Sequence, residues 1–263
     1  MLDVLREIGR GLRREIRPHP PAVVEEGLPR GAAGDTTHPV DLKAEEIILA
    51  GLEASGKPLT AISEEAGVVE LNCGGDRVVI IDPVDGSRNA AAGIPFYCTS
   101  IAVAEGKKLR DVKLAYVLNL ANGDEFWAEA GGGAFLNGKA STTQADDILR
   151  LAAFDAHVPG RDIPLIMPLL SECRKARSLG ATALALAYLA AGGASVFTVA
   201  SRSRSFDFAA GWLLVREAGG IVTDIEGNDL GDIDLGLKHV STILASANAA
   251  IHEKALGLLG GRH

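Results

Sequence analysis

Apolar positions recur at three- and four-residue spacing from the first residues. Leu2, Leu5, Gly9, Leu12 and Ile16 fall on one face and predict an amphipathic helix that Pro18, Pro20 and Pro21 end. The stretch that follows, to about Val40, has three glycines and little periodicity, so it reads as a long loop of the kind compact proteins keep for function. Asp41 stands where a helix N-cap belongs, ahead of Ala44, Ile47, Ile48 and Leu52. The pattern then shortens to strands: Leu59 to Ser63, Val78 to Asp82, Thr99 to Ala104, Val112 to Leu118 and Glu125 to Glu129. Asn122-Gly123 and Asn137-Gly138 mark turns between such runs. The last third alternates: Gly180 to Ala191 as helix, Val196 to Val199 as strand, Phe206 to Ala218 as helix, Ile221 to Thr223 and Ile243 to Ser246 as strands, Ala249 to Leu259 as helix. Sheets with helices packed on them follow, an α/β layered sandwich.

Composition narrows this picture. At 263 residues and 47% hydrophobic content the chain can bury one large core or two closely packed halves, and with 5% aromatics that core is aliphatic. The formal charge of -8 disfavours a general nucleic-acid binder, although a site for several cations also appears as excess acid. From Leu179 to Ala200 there is no charged side chain, long enough to span a bilayer. Gly192-Gly193 divides it, so it reads as buried helix, turn and buried strand, with no membrane span. Cys73, Cys98 and Cys173 are scattered and odd in number, which reads as buried reduced thiols in a cytosolic protein. The charged amino terminus lacks the apolar run of a signal peptide, and a cytoplasmic location is expected.

The richest segment is Ile80-Ile81-Asp82-Pro83-Val84-Asp85-Gly86-Ser87-Arg88-Asn89. An apolar strand carries Asp82 to its end, and Pro83 fixes φ and stops the ladder. Two carboxylates three residues apart can converge on a cation pair, with the Val84 carbonyl as a further oxygen. Gly86 permits close backbone approach, and the amides of Gly86, Ser87 and Arg88 can face an anion. Glu64 and Glu65 end another apolar strand, and Asp207 opens the helical stretch Phe206 to Trp212. These donors are hard oxygens, without His or Cys, which suits Mg²⁺ or Mn²⁺. Two such cations about 3.5–4 Å apart would clamp the attacking and leaving oxygens of a phosphoryl displacement. Taken singly, Asp-Pro is a turn starter, Glu64-Glu65 a solvated loop and Asp207 a helix cap. Together, like charges at about 4 Å repel by about 4 kcal/mol per pair, and a cation is the natural compensation.

This set resembles the inositol monophosphatase superfamily of lithium-sensitive and fructose-bisphosphatase-like metal phosphatases. Asp82 to Ser87 match its Asp-Pro-(Ile/Val)-Asp-Gly-(Thr/Ser) turn, and Ser63 to Gly67 match the Glu-Glu before it. Asp207 to Gly211 with Glu217 to Gly220 match the late signature, and Arg177 to Leu184 resembles the family's Arg-x-x-Gly-(Ser/Ala)-x-Ala-Leu helix start. The resemblance implies an αβαβα sandwich in one domain over 1–263, with sub-layers roughly 1–150 and 151–263. It implies Glu64, Asp82, the Val84 carbonyl, Asp85 and Asp207 as ligands of two or three Mg²⁺, with Mn²⁺ able to substitute. Ser87 takes the place of the family threonine that helps activate the attacking water, with Asp41 as its partner and Glu64 in the catalytic set. Glu65 would orient a water, and the Gly86 and Ser87 amides would hold the phosphate.

Departures from the pattern shape the substrate expectation. His38 stands where many members have lysine, Phe206 replaces the usual tryptophan, and Ser195 replaces a common aspartate. Ala200 occupies the place of an acidic ring contact, and Arg202 and Arg204 follow it, either in a solvated loop or as a clamp for a second phosphate. Gly31 to His38 resembles the mobile loop of the microbial inositol monophosphatase/fructose bisphosphatase branch, where Asp35 could recruit a further metal. The expected activity is phosphomonoester hydrolysis on inositol monophosphate or fructose 1,6-bisphosphate. The alternatives are a 3′-phosphoadenosine 5′-phosphate phosphatase, or a regulatory partner of transcription machinery. A homodimer is expected because relatives commonly form one. His19, His157, His239 and His252 receive no functional role, and Trp127 and Trp212 read as core.

Overall fold

The computed structural model describes residues 1–16, 28–34 and 36–260. Asp35, His19 and the prolines Pro18, Pro20 and Pro21 lie outside the described residues. Helices α1 (Leu2–Glu15) and α2 (Pro39–Ala54) precede strands β1 (Leu59–Ser63), β2 (Gly67–Leu71) and β3 (Val78–Asp85). A short helix α3 (Ser87–Ala92) leads to β4 (Cys98–Ala104), β5 (Val112–Asn119), β6 (Glu125–Glu129), β7 (Gly133–Leu136) and β8 (Lys139–Ser141). Then come β9 (Leu151–Asp155), α4 (Pro159–Glu172), β10 (Lys175–Ser178), α5 (Thr182–Ala190), β11 (Val196–Arg204) and α6 (Ser205–Glu217). The described chain closes with β12 (Ile221–Thr223), β13 (Val240–Ser246) and α7 (Ala249–Gly260).

Two sheets result, an eight-stranded one in the order β2-β1-β3-β4-β5-β6-β7-β8 and a five-stranded one in the order β10-β9-β11-β13-β12. Successive side chains of a strand point to opposite faces, and here both faces are apolar. In β3, Val79 and Ile81 join a core with Leu5, Leu12, Ile48 and Leu52 of α1 and α2. Val78 and Ile80 point the other way, into a core with α5 and α6. That second core also receives Phe197 and Val199 of β11, while Val196 and Leu244 face Leu169 of α4 and Ile251 of α7. The layers are therefore helix, sheet, helix, sheet, helix. The uncharged Leu179 to Ala200 stretch forms α5, a turn and the start of β11, and no described helix is long and apolar enough to cross a membrane.

Several local expectations change. Asp41 is not the N-cap of α2: His38 holds that place, Pro39 takes the first helical position, and Asp41 sits one turn in. The Arg202–Arg204 segment is not a loop but the end of β11. Cys73 is exposed rather than buried, and Trp127 is half-buried, stacked on Phe135 at 4.0 Å. Strand β9 and helix α4 are additional elements. Their sequence, with Asp155, His157, Pro159, Pro164 and Pro168, breaks both strand and helix periodicities.

Helices α5 and α6 share the central layer, and their closest approach is set by Gly211. A Cβ there would lie 2.6 Å from Leu186 Cβ, which is fixed to the α5 backbone and cannot rotate away. Gly211→Ala should therefore cost about 1–3 kcal/mol, read as a lower urea midpoint. Gly257→Ala in α7, where no atom lies within 4 Å of the added Cβ, should instead be neutral or stabilise by up to about 1 kcal/mol.

Candidate active site

Parallel pairing of β1 with β3 brings the two acidic strand ends together. The register sets Ser63 beside Ile81, and the Glu64 N–H continues the ladder to the Ile81 carbonyl at 3.2 Å. Glu64 thus leaves its strand next to Asp82. On the other side of β3 the register with β4 shifts between Asp82 and Asp85. Pro83 has no N–H for that ladder, and its carbonyl accepts the Thr99 hydroxyl at 2.8 Å instead. The shift turns the chain so that Asp82 is buried and Asp85 faces α5. Gly86 follows with φ 88°, and a Cβ there would crowd the Phe96 and Gly180 carbonyls at 3.1 and 3.2 Å. Ser87 then opens α3.

Three longer helices end their first turns on this cluster, each capped by a carboxylate. Asp41 Oδ2 accepts the His38 N–H at 2.7 Å at the start of α2, and Asp207 Oδ2 accepts the Arg204 N–H at 2.7 Å at the start of α6. Asp85 accepts from the first turn of α5, the Thr182 N–H at 3.1 Å and the Ala183 N–H at 2.7 Å. Helix N-termini favour negative charge, which explains how so many carboxylates are tolerated together. The tolerance is incomplete. Burial pushes the Asp82 carboxyl well above its ordinary range, and the charges of Glu64, Asp85, Asp207 and Asp41 add to it. Burial also pushes Asp85 up to about 8, with the Asp207 charge next in size, against the pull of the Ala183 and Leu184 N–H groups. Asp41 is pushed up to about 7 by burial, against the His38 N–H and with the charges of Glu65 and Glu45 behind it.

Residues 28–37 other than Asp35 fold over this cluster. Arg30 pairs with Thr36 across a narrow hairpin, and the Ala32 and Ala33 N–H groups bond the Glu65 and Glu64 carbonyls at 2.9 and 3.0 Å. Gly31 passes so close that a Cβ would strike the Glu65 carboxylate, which itself accepts the Thr37 hydroxyl. Behind them Glu45 Oε1 accepts the Ala66 N–H at 2.9 Å and ties the Glu64–Ala66 turn to α2. The cleft so formed has a volume of about 520 Å³. Asp41, Glu64, Glu65 and His38 form one side of it, and Gly86, Ser87 and Arg88 another.

Metal fit rests on the donor chemistry and on two buried oxygens. Asp41 Oδ1 and Asp82 Oδ1 have no protein donor, a costly state for buried carboxylates that a hard divalent cation would relieve. The carboxylates are spread rather than caged: among the described residues, no three His, Cys, Asp or Glu side chains close into metal-holding geometry. Arg204 is placed apart from Arg202. Its backbone caps α6 and its guanidinium lies over the Phe206 ring at 5.8 Å. Residues given no role by the sequence also reach the site. Arg30 and His157 line the cleft, and the charge of Asp155 adds to the upward shift of Asp85. Asp155 and His157 carried no signal, because the strand that delivers them was not apparent in the periodicity.

A five-layered α/β sandwich whose helix N-termini gather carboxylates beside one cleft is the build of a metal-dependent phosphatase. The description "Inositol monophosphatase family" matches residues 2–260. The chain is 38% identical over 239 residues to a protein of Methanothermobacter thermautotrophicus named fructose-1,6-bisphosphatase/inositol-1-monophosphatase, covering 87% of this chain and 85% of that one. It is 34% identical over 206 residues to the Pseudomonas aeruginosa protein named Nus factor SuhB, covering 74% of each. Among solved structures, the extragenic suppressor protein suhB of Bartonella henselae superimposes with a TM-score of 0.80 at 30% identity, over 100% of this chain and 99% of that one. The chain belongs to the inositol monophosphatase family, and it is a phosphoric monoester hydrolase of the metal-dependent kind.

Removing one of the repelling charges should show in the metal-free protein. Asp82→Asn should melt higher than wild type in chelator, because the cost of burying or protonating that carboxyl is removed at nearly constant volume. Mg²⁺ at a hundred times its Kd should stabilise wild type by about 2.7 kcal/mol and the variant less, read by thermal melts with and without the ion.

Proposed function

We propose that the cleft hydrolyses the phosphate monoester of a small phosphorylated polyol or sugar, with inositol monophosphate and fructose 1,6-bisphosphate as substrates. The observation that carries this reading is the pair of unpartnered buried oxygens on Asp41 and Asp82, beside a cleft bearing Gly86, Ser87 and Arg88. In this reading Glu64, Asp82, Asp85, Asp207 and the Val84 carbonyl hold two or three Mg²⁺, with Mn²⁺ an acceptable substitute. Bound there, the cations would supply positive charge to the phosphate oxygens and lower the pKa of water. The Gly86 and Ser87 amides hold the phosphate from the start of α3. The Ser87 hydroxyl takes a proton from the attacking water and passes it toward Asp41, which lines the same cleft. Glu65, oriented by the Thr37 hydroxyl, positions water on the opposite wall. The products are inorganic phosphate and the free alcohol.

A cytoplasmic homodimer is part of the same proposal. Among the described residues lining the cleft there is no Phe, Tyr or Trp, so support for an adenine-bearing substrate is weaker. The likeness to a protein named as a Nus factor supports a second role, as a regulatory partner of transcription machinery.

Phosphate release from inositol 1-phosphate and fructose 1,6-bisphosphate should require Mg²⁺, recover with Mn²⁺ and vanish on chelation; full activity in metal-free protein would overturn the reading. Asp207→Asn and Asp85→Asn should abolish turnover in protein whose circular dichroism is unchanged, since each removes ligand charge but keeps volume. Ser87→Ala should be milder, a loss of about 10²–10⁴-fold in kcat, the range of general-base assistance.

A further inference from the structure

Asn89 of α3 joins three segments that are distant in sequence. Its Nδ2 donates to the Phe96 carbonyl at 2.8 Å and to the Leu179 carbonyl at 2.7 Å, and the Gly180 carbonyl lies 3.5 Å from the same nitrogen. A primary amide carries two N–H donors, and each of the two shorter bonds takes one. Only the NH2 end of the side chain can face three carbonyls, so its orientation follows from the groups around it. Asn is also a poorer helix former than Ala, because its side chain competes for nearby backbone groups. Its place in the six-residue α3 is explained by these tertiary bonds and not by the helix.

The carbonyls around Asn89 also bear on the Gly86–Ser87 turn. A Cβ on Gly86 would meet the Phe96 carbonyl at 3.1 Å and the Gly180 carbonyl at 3.2 Å. From the other side, a Cβ on Gly180 would lie 3.1 Å from Asn89 Nδ2. The turn, the Phe96 link and the 179–181 link therefore pack with no room for a further methyl group. Directly after the last of these links α5 begins, and its Thr182 and Ala183 N–H groups hold Asp85. The N-cap of α5 is Ala181, which has no side-chain bond to offer that helix start. Asn89 supplies a side-chain tie between the turn and the element that holds Asp85. It is not among the described residues that line the cleft, so it acts through the backbone that it fixes.

We propose that Asn89 is a positioning residue for phosphoester hydrolysis, a clamp that fixes the Gly86–Ser87 turn against the start of α5. The turn that holds the phosphate and the carboxylate of Asp85 are thereby kept at one spacing. The inference rests on the phosphatase reading of the cleft. A misplacement of about 1 Å between reacting groups costs on the order of 10²-fold in rate. Alignment of this kind is realised in the transition state, so its loss lowers kcat and leaves KM nearly unchanged. Local helix stability works in the opposite direction, because Asn89→Ala favours α3 itself.

The test is steady-state kinetics with Mg²⁺ on inositol 1-phosphate and fructose 1,6-bisphosphate for wild type, Asn89→Ala, Asn89→Asp, Asn89→Gln and Tyr188→Phe, each also melted thermally. Asn89→Ala and Asn89→Asp should lower kcat about 10- to 100-fold, with KM within about threefold of wild type. Asn89→Asp keeps the shape and loses the donors, whereas Asn89→Gln keeps the donors on a longer arm and should retain more of kcat. The reverse order, or a lower melting temperature with kcat unchanged, would make Asn89 a packing residue and overturn the clamp. Tyr188→Phe removes the bond from α5 to Asp124 at 2.9 Å, further along the helix, and should leave kcat unchanged. A loss there equal to that of Asn89→Ala would mean general loosening of α5 and would also overturn it. If one of the donor-lacking variants fails to fold, the other decides. Should wild type release phosphate from neither substrate, the phosphatase reading falls by itself. The clamp is then judged by hydrogen exchange in chelator. Exchange of the Thr182 and Ala183 amides about tenfold faster in Asn89→Ala, with α7 unchanged, upholds it, and unchanged exchange rejects it.

Discussion

Everything near the cleft answers to one electrostatic conflict, the gathering of acidic side chains out of water. Asp82 is buried with four other carboxylates raising its pKa, and the fold has to supply positive potential from somewhere. It does so first from backbone. The starts of α2, α5 and α6 are aimed at the cluster, and each gives at least one N–H to Asp41, Asp85 or Asp207. The backbone contribution is partial, since two buried oxygens still have no donor. A cation is the group that completes the balance, so metal dependence and fold share one cause.

The layering puts those helix ends in reach of one another. Helix α2 packs on the outer face of the eight-stranded sheet, while α5 and α6 lie between the sheets. Their starts can meet only where β3 breaks its register at Pro83 and opens the sheet. The close contact of α5 with α6 at Gly211 is then part of the site's geometry, because it fixes the spacing of two carboxylate-capped ends.

The strands around the cluster were legible because both their faces are largely apolar: Val78 to Ile81 is an unbroken run, and Leu59 to Ile62 and Val112 to Leu118 are interrupted only by Thr60 and Lys113. The acidic motifs were legible because each follows such a run directly. Asp41 was misread in position, though not in its nearness to a helix start, because Pro39 and His38 carry the helix boundary three residues earlier than the apolar spacing does. Strand β9 and helix α4 were not legible. Polar residues interrupt β9 after five positions, and three prolines obscure the period of α4. With them went Asp155 and His157. Arg202 and Arg204 looked equivalent as neighbours in sequence, but a strand register and a helix cap send them to different surroundings, which spacing along the chain does not encode.

The hairpin over the cleft is tied down through main-chain atoms. Its Ala32 and Ala33 amides reach the Glu65 and Glu64 carbonyls, and neither bond depends on which side chains the hairpin carries. Gly31, pressed against the Glu65 carboxylate, and Gly34, at φ 94°, are the two described positions there bound to glycine. Anchorage and chemistry are thereby uncoupled in this segment. Its polar residues can be exchanged to suit another alcohol leaving group while the hairpin docks as before, so the roof of the cleft can diversify faster than the acidic floor beneath it.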